Sequence, residues 1–298
     1  MREFCVRLLR QKERGGILTA TSLLRLIGTT NELPAMKQAL AYAVVQTSAE
    51  YLSDIRYPAP IRVGDALAGT MLGLDPRIAD KFEPEESPEN LLLYLDQHGG
   101  ADKIFSDAEV RCFSKAMKSD LPYLRMKALE NLSKEIPAAL GDEITHCLSD
   151  NNLGVQNYAF LAAQRVRNPA HRDIALAVLK SADDEWLRQS AQQLADKYGS
   201  RYESAMAWCA HLVAPKDNND YTMHDTLREL LLMTAGRNSG GGGFYPSFTD
   251  QDAKTLRERW EEFLTENRNQ INAGKTFTNL ITGVPADLIP PGWTLNPP

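Results

Sequence analysis

Three basic side chains recur at one spacing. Lys134, Arg165 and Lys197 lie 31 and 32 residues apart, each just ahead of a chain breaker: Pro137, Pro169 and Gly199. Cations at such points do one of two things. They complement the partial negative charge at a helix C-terminus, or, set in a row, they offer a basic strip to an acidic peptide or a phosphate backbone. The three are therefore the candidate partner-binding residues. Metal or nucleophilic chemistry finds less support. His146 adjoins Cys147, and Cys209 and His211 are two apart. Neither pair has the ligand spacing of a zinc site, and residues two apart on a helix point to different sides. A Cys/His nucleophile needs only that the partners meet in space, and no spacing singles one out. A catalytic site, if present, is best sought near Asp217, Asp220, His224 and Asp225, beside the Gly240–Gly243 run. That run lacks a following Lys-Ser/Thr and a preceding strand, so it is not a phosphate loop. The sequence calls for no cofactor.

The elements that must position these residues are helices. Leu124, Ala128, Leu129, Leu132 and Ile136 follow helical spacing, as do Val155, Ala159, Ala162, Ala163 and Val166, and Leu187, Ala191, Leu194 and Ala195. Each set marks one buried stripe. Ala128, Ala159 and Ala191 are in register, and a small residue there permits close approach of a neighbour. Leu140, Ile144, Cys147 and Leu148 mark a helix between them; Tyr202, Ala205, Met206, Cys209, Leu212 and Val213 mark one beyond. Two helices per 31–32 residues is the pattern of an α-solenoid. Asp120, Asn151 and Asp183 are also in register, each followed five residues later by Arg125, Gln156 and Arg188. A polar ladder along the turns is expected, with Asp capping a helix and Arg bonding the Asp of its own or the next repeat.

An Asp in the inter-helix turn followed by an Arg in the second helix resembles HEAT repeats, over about residues 106–214. The units are shorter than many in that family, and the Val-Arg-x-x-Ala core is approached most closely at Leu124-Arg125 and Leu187-Arg188. The resemblance implies an all-α solenoid of HEAT-like helix pairs. It implies no activity, because the family spans scaffolds, transport factors, nucleic-acid binders and a few enzymes.

Composition narrows the function. Hydrophobic content of 43% and charged content of 24% are those of a globular chain. The net charge of −6 is spread as −2, −1 and −3 over residues 1–100, 101–200 and 201–298. The basic footprint of a nucleic-acid binder is absent. Four scattered cysteines without a secretory context read as buried free thiols. The N-terminus shows no signal-peptide core, and the longest apolar runs, such as Ala39–Val45, are too short to span a bilayer; a cytoplasmic location is expected. The expected function is a non-catalytic interaction scaffold or adaptor for a protein or peptide. The alternatives are an enzyme with a site between the repeats and the C-terminal segment, and a nucleic-acid binder.

Three segments are expected. Residues 1–90 form an N-terminal helical subdomain, with a helix over 2–14 ended by Gly15-Gly16, then helices over 18–28 and 33–54, and one opening at Ile61-Arg62. Residues 91–214 carry the repeats, introduced by a capping box at Ser106-Asp-Ala-Glu109. Residues 215–298 hold a helix of about 222–237, a helix of about 249–273 and a tail. Trp260, Phe263, Leu264 and Ile271 give the last helix an apolar stripe that must dock. Five prolines and the apolar Phe277, Ile281, Leu288, Ile289 and Trp293 predict an extended tail packed on the surface.

Overall fold

Apolar residues at helical spacing, punctuated by caps and prolines, give helices throughout. The computed structural model describes residues 1–50, 62–100, 102–166, 168–214, 222–235, 249–275 and 277, and among these there is no strand. None of the described helices is long and apolar enough to cross a membrane. The chain divides into two compact units, Met1–Asn168 and Pro169–Pro298.

The first unit opens with α1 (Arg2–Gln11) and α2 (Arg14–Ile27). The glycine pair expected to end the first helix instead lies in the first turn of α2. The break comes at Lys12, whose φ of 56° is left-handed and whose N–H returns to the Leu9 carbonyl. First-turn N–H groups have no intrahelical partner, so glycine costs least there. Next come α3 (Leu33–Glu50), α4 (Val63–Leu74), α5 (Pro88–His98), α6 (Asp107–Met117), α7 (Pro122–Glu130), α8 (Gly141–Cys147) and α9 (Leu153–Ala163). Ser87 caps α5, with Pro88 at the first helical position. Ser106 and Glu109 close the predicted capping box of α6.

Pairs of these helices stack like on like. α1 packs on α3 and α2 on α4; α6 packs on α8 and α7 on α9, while α5 touches α3, α4, α6 and α7. Ala128 of α7 and Ala159 of α9 are fully buried, as are Leu24, Leu40, Leu67, Leu92, Phe113, Tyr123 and Phe160. The helices carrying the first two register alanines therefore lie side by side, which the small side chains permit.

The second unit holds α10 (Ala170–Ser181), α11 (Glu185–Lys197), α12 (Arg201–Cys209), α13 (Thr222–Ala235), α14 (Asp250–Glu266) and α15 (Arg268–Asn272). α12 is its hub, packing on α10, α11, α13, α14 and α15. Its buried set is Ser204, Ala205, Ala207, Trp208, Cys209 and Leu212, whereas Tyr202 and Met206 are half-buried and Val213 is exposed. The expected stripe is thus turned toward Trp208, because neighbours enclose this helix on several sides. The expected helix of 249–273 is divided at Asn267, whose side-chain amide donates to the Phe263 carbonyl at 2.8 Å. An Asn that bonds its own backbone competes with the helix ladder. Trp260, Phe263, Leu264 and Ile271 are buried as predicted. Phe277 is buried too; its N–H donates to the Thr234 carbonyl at 2.7 Å and its ring meets Phe263 edge-on at 5.2 Å. Tail residues 278–298 lie outside the described residues, as do Gly240–Gly243.

Candidate functional site

The three basic candidates occupy three different settings. Lys134 lies beyond the end of α7 and pairs with Asp102 at 2.7 Å, both side chains well exposed. Arg165 stands two residues past α9 and donates from Nη1 to the Ser133 carbonyl at 3.0 Å and the Leu132 carbonyl at 3.3 Å. Burial pulls its pKa below the ordinary arginine value. Lys197 ends α11 in the second unit, is exposed and makes no ion pair among the described residues. Only Lys197 sits in a last helical turn. The first two come later because α7 and α9 stop short of their apolar stripes.

The ladder differs from its expected form. Arg125 does not reach Asp120; it grips Asp150 with Nε and Nη2 at 2.7 and 2.8 Å and donates from Nη1 to the Ser119 carbonyl at 2.7 Å. Gln156 donates to the Leu148 carbonyl at 2.9 Å. Arg188 donates to the Ala182 and Asp183 carbonyls at 3.0 and 3.2 Å, and its guanidinium lies 5.1 Å from the Trp208 ring. What the three share is donation to backbone carbonyls of the chain just ahead of their own helix, groups that otherwise lack partners. The aspartate side chains are secondary to that.

The Cys/His pairs do not assemble a nucleophile. Cys147 contacts the Met117 carbonyl and Cys209 the Arg257 carbonyl, and burial lifts both thiols to about 12. His211 bonds the Leu179 carbonyl through Nε2 at 2.8 Å, and burial lowers its pKa. All four cysteines are buried and free. No metal-binding group of His, Cys, Asp or Glu occurs among the described residues. Asp217 and Asp220 lie outside them. Asp225 pairs with Arg228 at 3.4 Å, and Arg228 also holds Glu229 and Glu185.

Two polar clusters were hidden in the sequence, because their members come from distant helices and each alone reads as a surface charge. In the first, Lys127 on α7 is 7% exposed and faces Glu130, Asp96 and Asp65 at 2.9, 3.1 and 3.4 Å. Arg62 meets Glu130 at 3.2 Å and Asp65 at 3.4 Å, and Tyr123 donates its hydroxyl to Asp65. Burial opposes the Lys127 ammonium, yet the three carboxylates outweigh it and hold its pKa above the ordinary value. Burial and Asp65 push Asp96 up, whereas Lys127 and Arg62 overcome burial and keep Glu130 low. Gly64 makes room for this: a Cβ there would come within 2.7 Å of the Tyr123 hydroxyl. An ammonium held this firmly protonated is no nucleophile; its role is to join α4, α5 and α7. In the second cluster His98 lies between Asp80 and Glu109, at 3.2 Å from each, with Lys103 at 2.7 Å from Glu109.

An open groove of about 770 Å³ runs along α6 in the first unit. Val110, Ala139, Pro84 and Pro88 supply apolar surface over the buried Leu91 and Leu124, and the 84–88 loop lines the groove beside α6. Arg111 and Lys115 on α6 and Lys118 at its C-cap recur at i, i+4 and i+7 and so share one face. Lys118 is committed to Glu143 at 2.8 Å, which Ser114 also bonds at 2.6 Å. Lys115 donates to the Glu85 carbonyl at 2.9 Å and stands 3.8 Å from its carboxylate. Arg111, midway along α6, and Asp120, three residues past its end, make no ion pair among the described residues, and both are exposed. The i, i+4, i+7 row was visible in the sequence. A comparison between repeats overlooks it, because it lies on one helix.

Comparison of the chain with protein-family models, curated proteins and solved structures finds no match.

Proposed function

We propose that this protein is a non-catalytic interaction protein built from HEAT-like helical repeats, and that it docks a partner protein or peptide in the groove along α6. One contrast carries the reading. The buried groups with the strongest chemistry are already engaged: Lys127 by its carboxylates, Arg125 by Asp150, and the Cys147 and Cys209 thiols by carbonyls. The groove, by contrast, is open and keeps unpaired charge over apolar surface. Like-on-like stacking of α6/α7 on α8/α9 supports the repeat reading, and the register of Ala128 with Ala159 agrees with it. The diffuse acidic balance weighs against nucleic acid.

Capture from a nuclease-treated native lysate tests this, with the full chain compared against Ala139→Trp. Ala139 is exposed on the groove, so the indole fills the groove without disturbing the core. The expected result is a protein partner retained by the native chain and lost by the variant. A partner retained equally by both places docking elsewhere, and loss of every partner on nuclease treatment favours nucleic acid.

A further inference from the structure

We infer that the groove along α6 takes an extended peptide carrying opposite charges at its two ends, a carboxylate for Arg111 and a cation for Asp120, with apolar side chains between them. This rests on the docking reading above and names the chemistry of the occupant. Two of the three α6 cations are already occupied, Lys118 by Glu143 and Lys115 by Glu85. The charges that remain are Arg111 at one end and Asp120 at the other, with Glu86 on the facing loop, none in an ion pair among the described residues. A uniformly acidic occupant would meet two unpaired carboxylates, and a uniformly basic one would meet Arg111 and the two lysines. One charge of each sign satisfies both ends. Between the ends, the apolar surface of Val110, Ala139 and Pro88 suits small apolar side chains.

The spacing sets the length. Arg111 and Lys118 are separated by about 10 Å of helix rise, and Asp120 lies just beyond. An extended chain advances about 3.3 Å per residue, so the two charges sit about four positions apart. An extended segment of that size matches a groove of about 770 Å³, which a whole helix would overfill.

The probes are end-blocked, fluorescein-labelled pentapeptides that share a Leu/Ala core and differ only at the terminal pair: Glu with Lys, Glu with Glu, Lys with Lys, or Gln with Gln. The mixed peptide is made in both orders, Glu first and Lys first, because chain direction decides which terminal residue meets Arg111. By fluorescence anisotropy on the full chain, the mixed peptide in its better order should bind about four- to twenty-five-fold tighter than the Gln peptide, at about two- to fivefold per exposed ion pair. Arg111→Glu should move the preference to the Lys/Lys peptide, and Asp120→Lys to the Glu/Glu peptide. Ala139→Trp should abolish binding of every peptide. Both charge variants alter exposed side chains, and circular dichroism checks that each is folded. An unchanged ranking in the charge variants, binding that survives Ala139→Trp, or no binding of any peptide overturns the inference. If a lysate partner is nonetheless lost on Ala139→Trp, the docking reading stands and only the occupant's chemistry is wrong.

Discussion

Replacing Lys127 by Met would leave Asp65, Asp96 and Glu130 facing one another with Arg62 alone to balance them. Removing one partner from a buried ionic cluster leaves uncompensated charge, and a loss of roughly 3 kcal/mol in urea unfolding is expected. Asp96→Asn should be far milder, within about 1 kcal/mol of the native chain. It keeps the oxygen that accepts from Asn131 at 2.9 Å and removes the carboxylate whose ionisation burial and Asp65 oppose. Equal losses for the two variants would mean that the Asp96 carboxylate matters to the cluster as much as the lysine does. Glu109 supplies a pH signature. Burial works against its carboxylate, but Lys103 and the Ser106 N–H and hydroxyl hold it at about 2, below the ordinary glutamate value. A depressed carboxylate contributes stability above its unfolded pKa and loses it as pH falls through the folded one. The melting-temperature gap between the native chain and Glu109→Gln should therefore be fully present at about pH 4.5 and close toward about pH 2. A gap that widened on acidification would contradict the assignment.

Among the helices, the side chains that reach back to carbonyls of the preceding chain act as end-stops. Arg125→Met would free the Ser119 carbonyl and strip Asp150, only 7% exposed, of its bidentate partner. A cost of roughly 2–3 kcal/mol is expected, larger than for Arg188→Met, which leaves no carboxylate stranded. Ala159→Leu should overpack the contact of α9 with α7 and cost about 1–3 kcal/mol; an unchanged melting temperature would show slack between them. These helices were legible in the sequence because burial on one face leaves a 3.6-residue trace, and Ser106 with Glu109 marked a helix start through local chemistry alone. Other features have no such trace. A Gly pair reads as a stop or as a first turn depending on where the left-handed residue falls, and here it fell on Lys12. Asn267 divides a stripe that stays apolar across the division. Arg125 reaches Asp150 instead of Asp120, 25 residues on, a choice that packing decides. The Arg62–Glu130 contact spans 68 residues, beyond any periodicity.

At the scale of the whole molecule, the position of the four thiols has a practical consequence. Cys5, Cys112 and Cys147 belong to the first unit and Cys209 to the second, and each is at most 4% exposed. A thiol so enclosed, with Cys147 and Cys209 lifted to about 12, meets an aromatic disulfide reagent only when its surroundings open. The chain thus carries its own stopwatch for each half. Under native conditions, with excess reagent, three equivalents should be released at the opening rate of the first unit and one at that of the second, the two amplitudes standing three to one. Ala159→Leu should quicken the larger amplitude alone. Immediate release of any equivalent would mean a thiol at the surface, and a single shared rate would mean that both halves open in one event.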